Sequence, residues 1–243
     1  MGMPVTVHLA GPNSPPKAIS AVFSDFAFLD ALFSPFKTTS AISRLNAGTL
    51  LLPDAPIEVL HVLDLCTFYA HATEGYFSSH PTSKLDPNGL VKGFALDRAC
   101  AILGSFGCQD YLIDAGGDTY ARGQSAPSAP WRVGIRHPIE RDRVACVVLA
   151  SNLAIATSGT YEKGLHILDP HTGLPATTWL SFTVTGPDIL QADVYATAAC
   201  AMQEKGPAFI ARQEGYEAYA IAPDLSATFT PGFRALCDPA VSI

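Results

Sequence analysis

Asp193 and Thr197 are the residues whose type and spacing most directly indicate chemistry. They are four apart in an apolar pattern that predicts a helix over residues 189–202, so both side chains emerge on one helix face. A carboxylate beside a hydroxyl offers the hard oxygen ligands that Mg²⁺ prefers, with water or phosphate oxygens filling the other positions. An aspartate near a helix start also compensates the helix dipole, so the spacing alone leaves a purely structural role open.

A second candidate is the turn at Asp86 to Gly89 together with Lys92, which follows it where the next helix is predicted to begin. The Asp-Pro-Asn-Gly sequence is typical of a turn whose carbonyl oxygens can face a cavity. A lysine near a helix start opposes the helix dipole, which indicates another purpose such as contact with a phosphate. The alternative is that Lys92 simply extends to solvent.

Two further segments carry polar groups beside glycines or a histidine. Paired glycines between Asp114 and Asp118 follow a predicted strand and allow either close approach to a ligand or an ordinary tight turn. His166 is the histidine best placed to act as a base, because Asp169 and nearby backbone can orient it, although a structural role is the alternative. The sequence contains no dinucleotide fingerprint, phosphate-binding loop, zinc-protease motif or serine-hydrolase elbow.

Composition limits the classes of function. Hydrophobic residues make up 48% of the 243 residues and charged residues 15%, which favours a buried globular core. A net charge of −7 without a basic cluster argues against nucleic acid or an anionic membrane as partner. Residues 1–10 read as a strand rather than a signal peptide, and six cysteines without a C-x-x-C pair favour buried free thiols. We therefore expect a cytoplasmic protein without a membrane span, unless an upstream export signal was removed.

The length allows one large domain or two small ones, and hydrophobic periodicity with an indication of antiparallel strand pairing predicts the α+β class. Helices are predicted over residues 18–33, 57–72, 90–103 and 189–202. Strands are predicted over 111–114, 131–136, 145–150, 181–186 and 218–222, and residues 123–130 form the clearest loop. The helices come mainly before and after the strands, so a doubly wound sheet is not expected.

Six segments in order resemble the successive signatures of the ApbE family of FAD:protein FMN transferases, some members of which hydrolyse FAD. They occupy residues 40–46, 92–97, 115–118, 157–159, 166–170 and 192–197. The resemblance extends from the start of the chain to about residue 202. It implies a single ApbE-like α+β domain over residues 1–243, with a mostly antiparallel sheet, flanking helices and FAD bound in a groove. It also implies transfer of FMN to a Thr or Ser hydroxyl of an acceptor protein, a subunit of a redox complex, with release of AMP.

The resemblance also implies roles for individual residues. Mg²⁺ would be held by the carbonyl of Gly89, the side chains of Asp193 and Thr197, and the carbonyl of Ala196. His166 would be the base. Contacts to FAD are implied for Met1, Phe36, Tyr76, Phe77, Ser78, Asp86, Lys92 and the backbone near Leu168.

The chain departs from the family pattern at several of these positions. Phe36 stands where a tyrosine is frequent, Ser78 where a carboxylate is common, and Thr160 where an aspartate often follows Ser-Gly. Met3 follows Gly2 in place of the usual threonine, and the loop between Ser78 and Asp86 is short. These changes leave two alternatives open: an FAD pyrophosphatase that forms FMN and AMP, and a non-catalytic FAD-binding protein.

Overall fold

The computed structural model describes residues 2–11, 15–80, 84–140, 142–159 and 167–241. The implied FAD contact Met1, the candidate base His166 and the family departure at Thr160 lie outside these ranges. The helices are α1 (Pro16–Phe33), α2 (Ala41–Asn46), α3 (Ile57–Ala72), α4 (Asn88–Ser105), α5 (Ile189–Ala201) and α6 (Gly206–Ile210). The strands are β1 (Val5–Ala10), β2 (Asp110–Ala115), β3 (Asp118–Arg122), β4 (Trp131–Arg136), β5 (Val144–Ala150), β6 (Leu153–Gly159), β7 (Ser181–Gly186), β8 (Glu217–Ile221) and β9 (Ala227–Phe229).

Seven strands form one sheet in the order β1-β2-β3-β6-β7-β8-β9, and every neighbouring pair is antiparallel. Strands β4 and β5 form a separate antiparallel pair. Helices α4 and α5 pack on each other, and α5 also contacts β3, β6 and β7. The predicted α+β class, with a mostly antiparallel sheet and flanking helices, is confirmed.

Burial and close packing account for the residue types found in the central strand β7 and in helix α5. Every residue of β7 is buried, as expected for a middle strand with both faces covered. Helix α5 is buried along most of its length and is rich in alanine, so neighbouring backbones can approach it closely. One close approach involves Gly93 of α4, where an added Cβ would lie 2.8 Å from the Cα of Leu190. This crossing of α4 and α5 faces the sheet beside β3 and β6.

Most predicted elements are present, with boundaries that differ by a few residues. The predictions for α3, β4 and β7 match the structure, whereas the N-terminal strand begins at Val5 and α4 begins at Asn88. Lys92 is therefore in the second turn of α4 and not at its start. Three strands are not predicted: β3, whose first residue Asp118 fits a turn, β6, which contains Ser158, and the three-residue β9. Strand β6 has seven residues, with the polar Thr157 and Ser158 near its more exposed end.

The six cysteines are free thiols, as predicted, and the sulfurs of Cys146 and Cys237 lie 3.2 Å apart. The loop over residues 123–130 is also confirmed, and it is closed by an isolated bridge between Ala126 and Ala129. Among the residues that the structure describes, no helix combines the length and apolar character needed to cross a bilayer.

Candidate functional site

Lys92 lies between two buried carboxylates at the crossing of α4 and α5. Its Nζ is 2.5 Å from Oδ2 of Asp118 and 3.4 Å from Oδ1 of Asp193. The side chains of the two aspartates are 1% and 3% exposed, whereas that of Lys92 is 22% exposed. The alternative that Lys92 extends freely to solvent is therefore wrong. Its ammonium group points into the protein and reaches the surface only in part.

Asp193 is fixed on α5 by a contact that only a glycine on α4 permits. Its Oδ2 accepts a hydrogen bond of 2.8 Å from the backbone N–H of Gly93. A Cβ on Gly93 would lie 3.1 Å from Cβ of Asp193 and 3.2 Å from this same oxygen. At the start of α5, the Asp188 side chain accepts from Gln191 N–H and caps the helix. The second oxygen of Asp193, Oδ1, is left facing Lys92.

Asp118 is fixed on the sheet. It is the first residue of β3, directly across from Ala115 of β2, after a turn in which Gly116 and Gly117 have φ of +62° and +94°. Side chains rarely adopt this left-handed conformation, which explains the glycine pair. Oδ1 of Asp118 accepts a hydrogen bond of 3.0 Å from the backbone N–H of Thr157 on β6. The carboxylate thus joins two neighbouring strands while its other oxygen pairs with Lys92.

Hydroxyl groups extend the site along α5 and β6. The Oγ1 of Thr197 lies 3.0 Å from the Oγ of Ser158, and the Oγ1 of Thr157 lies 2.8 Å from that of Thr183. Because Asp193 and Thr197 are one turn apart on α5, the carboxylate and the hydroxyl lie along one side of the helix that faces α4 and β6. The two predicted oxygen donors, the Asp193 carboxylate and the Thr197 hydroxyl, therefore face the same region beside α4 and β6.

The electrostatics of the cluster are unbalanced. Burial raises the pKa of Asp193 to about 8; the nearby Lys92 ammonium opposes this shift, and Asp118 adds to it. Burial lowers the pKa of Lys92, but the two carboxylates outweigh it and the net shift is upward. An ionised Asp193 would place a second buried carboxylate charge beside one ammonium group, which is costly. The raised pKa means that a proton on Asp193 relieves this cost near neutral pH, and a bound cation would take the place of that proton.

The donors at this site fit a hard divalent cation that completes its shell with ligand oxygens. Within the described ranges, no group of three or more His, Cys, Asp or Glu side chains is arranged to hold a metal ion. A cation would instead use Oδ1 of Asp193, the Thr197 hydroxyl, backbone carbonyls such as those of Gly89 and Ala196, and phosphate or water oxygens. Gly89 lies in the first turn of α4, and Ala196 is buried on α5.

The residues implied to contact FAD form two groups. Tyr76, Phe77 and Ser78 follow α3, and Phe77 is buried with its ring against Gly89, where an added Cβ would lie 3.2 Å from Cε2. Asp86 accepts from Asn88 N–H at 3.1 Å and so caps the turn that leads into α4. Phe77 and Asp86 thus contact the first turn of α4, which precedes Lys92.

Phe36 lies elsewhere on the surface, whereas Leu168 belongs to a turn that packs against the Tyr76 segment. Phe36 is 91% exposed in the segment between α1 and α2. Leu168 forms an isolated bridge with Pro175, and the neighbouring Asp169 accepts from the N–H of His171 at 2.9 Å. His171 is exposed, and its ring packs edge-on against Tyr76 with 4.5 Å between ring centroids. The Asp169 side chain therefore accepts a hydrogen bond from within its own turn. Its predicted partner His166 lies outside the described residues.

Helices α4 and α5 cover an antiparallel sheet, and a lysine lies between two buried carboxylates where the helices cross. These features define an α+β class of protein with a candidate site for a cation and a phosphate. The sequence profile of the ApbE family matches residues 78–220, which is more than half of the chain. The chain therefore belongs to the ApbE family.

Similar sequences carry one functional name. The FAD:protein FMN transferase of Rhodobacter capsulatus is 38% identical over 167 residues, which are 65% of this chain and 32% of that protein. The FAD:protein FMN transferase of Treponema pallidum is 30% identical over 197 residues, which are 71% of this chain and 54% of that protein. The matched part thus spans about a third to a half of the length of these relatives.

Solved structures share the fold. The apo flavinyl transferase ApbE of Pseudomonas stutzeri superposes with a TM-score of 0.80 at 22% identity and covers 99% of this chain and 98% of that one. The ApbE protein of Thermotoga maritima gives a TM-score of 0.85 at 21% identity and covers 97% and 96% of the two chains. At this level of identity the likeness establishes the ApbE fold.

Proposed function

We propose that this chain transfers the FMN half of FAD to a Thr or Ser hydroxyl of an acceptor protein and releases AMP, with Mg²⁺ as cofactor. The observation that carries the proposal is the buried cluster of Lys92, Asp118 and Asp193, which lies at signature positions of a family whose named relatives are FAD:protein FMN transferases. The cluster combines the Lys92 ammonium group, which can bind a phosphate, with Oδ1 of Asp193, which can bind a metal ion.

The chemistry is a displacement at phosphorus. The acceptor hydroxyl oxygen attacks the phosphorus on the FMN side of the FAD pyrophosphate, and a new P–O ester bond forms as the bond to the AMP oxygen breaks. The proton of the acceptor hydroxyl passes to a base, for which His166 is the predicted residue. When bound, Mg²⁺ would supply Lewis-acid polarisation of the phosphate oxygens and neutralise developing charge.

The described residues supply position and charge. The Lys92 ammonium stays protonated because its pKa is raised, so it can offset charge on the pyrophosphate. Asp193 and Thr197 present oxygens from a rigid, buried helix, which keeps the cation site in register with α4. The exposed ring of Phe36 offers an aromatic face on which the flavin or adenine can stack.

Asp193→Ala tests the cation assignment. The variant is incubated with FAD, Mg²⁺ and a flavin-accepting protein, and FMN addition is followed by intact-protein mass spectrometry. We expect loss of transfer, because the buried carboxylate oxygen that would bind the cation is removed. Asp64→Ala, on the exposed side of α3, is the matched control and should transfer normally. Full FMN addition by Asp193→Ala would refute the assignment.

His166→Ala tests the base. We expect it to slow transfer far more than it weakens FAD binding, since a base acts in the reaction and not in recognition. Equal loss of both would indicate a structural histidine. Incubation of the wild-type protein with FAD and Mg²⁺ but without acceptor separates the two reactions of this site. Rapid AMP release without an acceptor would indicate an FAD pyrophosphatase. A protein that binds FAD but carries out neither reaction would be a non-catalytic flavin-binding protein.

A further inference from the structure

Asp118 has no role among the residues implied for metal or FAD, yet it makes the shortest contact in the site. Its Oδ2 lies 2.5 Å from Nζ of Lys92, whereas Oδ1 of Asp193 lies 3.4 Å away from the same ammonium. Oδ1 of Asp118 is held by Thr157 N–H at 3.0 Å, and the side chain is 1% exposed. This carboxylate is therefore a fixed anchor on the sheet and not a mobile surface group.

Lys92 and a divalent cation would compete for one oxygen of Asp193. Oδ2 of Asp193 is engaged by Gly93 N–H at 2.8 Å, which leaves Oδ1 as the oxygen that faces the ammonium. Mg²⁺ binds carboxylate oxygens at about 2.0–2.1 Å. An ammonium paired tightly with Oδ1 would occupy the same space and repel the ion.

We propose that Asp118 is a positioning residue that holds the Lys92 ammonium off Asp193, so that Oδ1 of Asp193 stays available to a divalent cation. The proposal rests on the cation site of the proposed function but not on FMN transfer. Without the Asp118 charge, Lys92 pairs with Asp193 as its remaining carboxylate in the cluster and blocks the site. Asp118 thus acts on the cation through Lys92.

A purely electrostatic role gives a different result. Asp118 also adds a negative charge near the site, and loss of that charge weakens any cation whether or not Lys92 is present. A positioning role requires Lys92, so its effect disappears when Lys92 is removed. A double-mutant cycle separates the two roles, because the interaction between the two substitutions is measured directly.

The experiment measures Mn²⁺ binding to the whole chain by the loss of the free-ion electron paramagnetic resonance signal, with no FAD and no acceptor present. Four proteins are compared: wild type, Asp118→Asn, Lys92→Met and the double variant. Asparagine keeps an amide oxygen for Thr157 N–H and so preserves the link between β3 and β6. Asp114→Asn on the same hairpin is the control for loss of one charge, since the Asp114 side chain accepts from Thr119 and not from Lys92.

We expect Asp118→Asn to weaken Mn²⁺ binding by about 10-fold in the wild-type background and by less than about 3-fold in the Lys92→Met background. Lys92→Met alone should bind Mn²⁺ more tightly than wild type, and this measurement stands even if Asp118→Asn fails to fold. Equal losses in both backgrounds, a loss as large in Asp114→Asn, or weaker binding by Lys92→Met would each overturn the proposal.

The assay also separates this proposal from the proposed function. Mn²⁺ coupling between Asp118 and Lys92 in a protein that transfers no FMN would sustain the positioning role and refute the transferase. FMN transfer by a protein without that coupling would do the reverse.

Discussion

Replacing Gly93 with alanine is expected to force α4 and α5 apart at the candidate site. The added Cβ would lie 2.8 Å from the Cα of Leu190, a backbone atom that cannot rotate away. Ordinary carbon–carbon contacts lie at about 3.5–4.0 Å, so the helices must separate by about 0.7–1.2 Å. The same shift lengthens the 2.8 Å hydrogen bond from Gly93 N–H to Asp193.

The size of the effect follows from this geometry. Inserting a methyl group into a well-packed contact costs about 1–3 kcal/mol. For a chain of this length each kcal/mol lowers Tm by about 2–4 °C, so Gly93→Ala should lower it by about 2–12 °C. Mn²⁺ binding should weaken as well, because Asp193 moves with α5.

Gly104 on the same helix provides the control. An added Cβ there would meet its nearest atom, Nη1 of Arg122, at 3.8 Å, which is an ordinary contact. Alanine is a better helix former than glycine by about 1 kcal/mol, so Gly104→Ala should be neutral or raise Tm slightly. Thermal unfolding followed by circular dichroism compares the two variants. A Gly93→Ala protein that melts at or above Gly104→Ala would refute the close-packing argument.

Two other substitutions test the charge and the surface of the site. Burial raises the pKa of Asp193 to about 8, against about 3.9 in an unfolded chain. Its contribution to stability is therefore fully present below about pH 4 and is lost as pH rises towards 8. In EDTA, the Tm of wild type should fall relative to Asp193→Asn between pH 5 and pH 9; parallel curves would contradict the raised pKa. Phe36 is 91% exposed, so Phe36→Ala should leave Tm unchanged. It should weaken FAD binding about 2- to 10-fold, the value of one aromatic contact, and an unchanged affinity in a fluorescence titration would remove Phe36 from the site.

The elements that the sequence predicts well are those with a long and consistent period. Helix α3 and strands β4 and β7 have the predicted boundaries because their apolar residues recur without interruption. Strand β3 was missed because Asp118 and the two glycines before it are typical of a turn, and its pairing with β2 depends on contacts beyond the local sequence. Strand β6 was missed because its pairing with β3 and β7 is likewise non-local.

The candidate site was predicted in part. Spacing alone placed Asp193 and Thr197 on one helix face. Lys92 was singled out as a lysine at a helix start, although it lies in the second turn of α4. The partner of Lys92 could not be read from the sequence, because Asp118 lies 26 positions away on a strand that was not predicted. The contact of Thr197 with Ser158 likewise joins a helix to a strand 39 positions earlier. The paired glycines before Asp118 were the one local signal that this carboxylate is held in a fixed place.

The most direct test of the account is the fate of the two halves of FAD. The purified protein is incubated with FAD, Mg²⁺ and a flavin-accepting protein that contains the modified Thr or Ser. AMP is measured by chromatography and bound FMN by mass spectrometry of the acceptor. We expect equal amounts of AMP and acceptor-bound FMN, and we expect both to be lost in EDTA. AMP formed with free FMN and an unmodified acceptor, or no consumption of FAD, would contradict it.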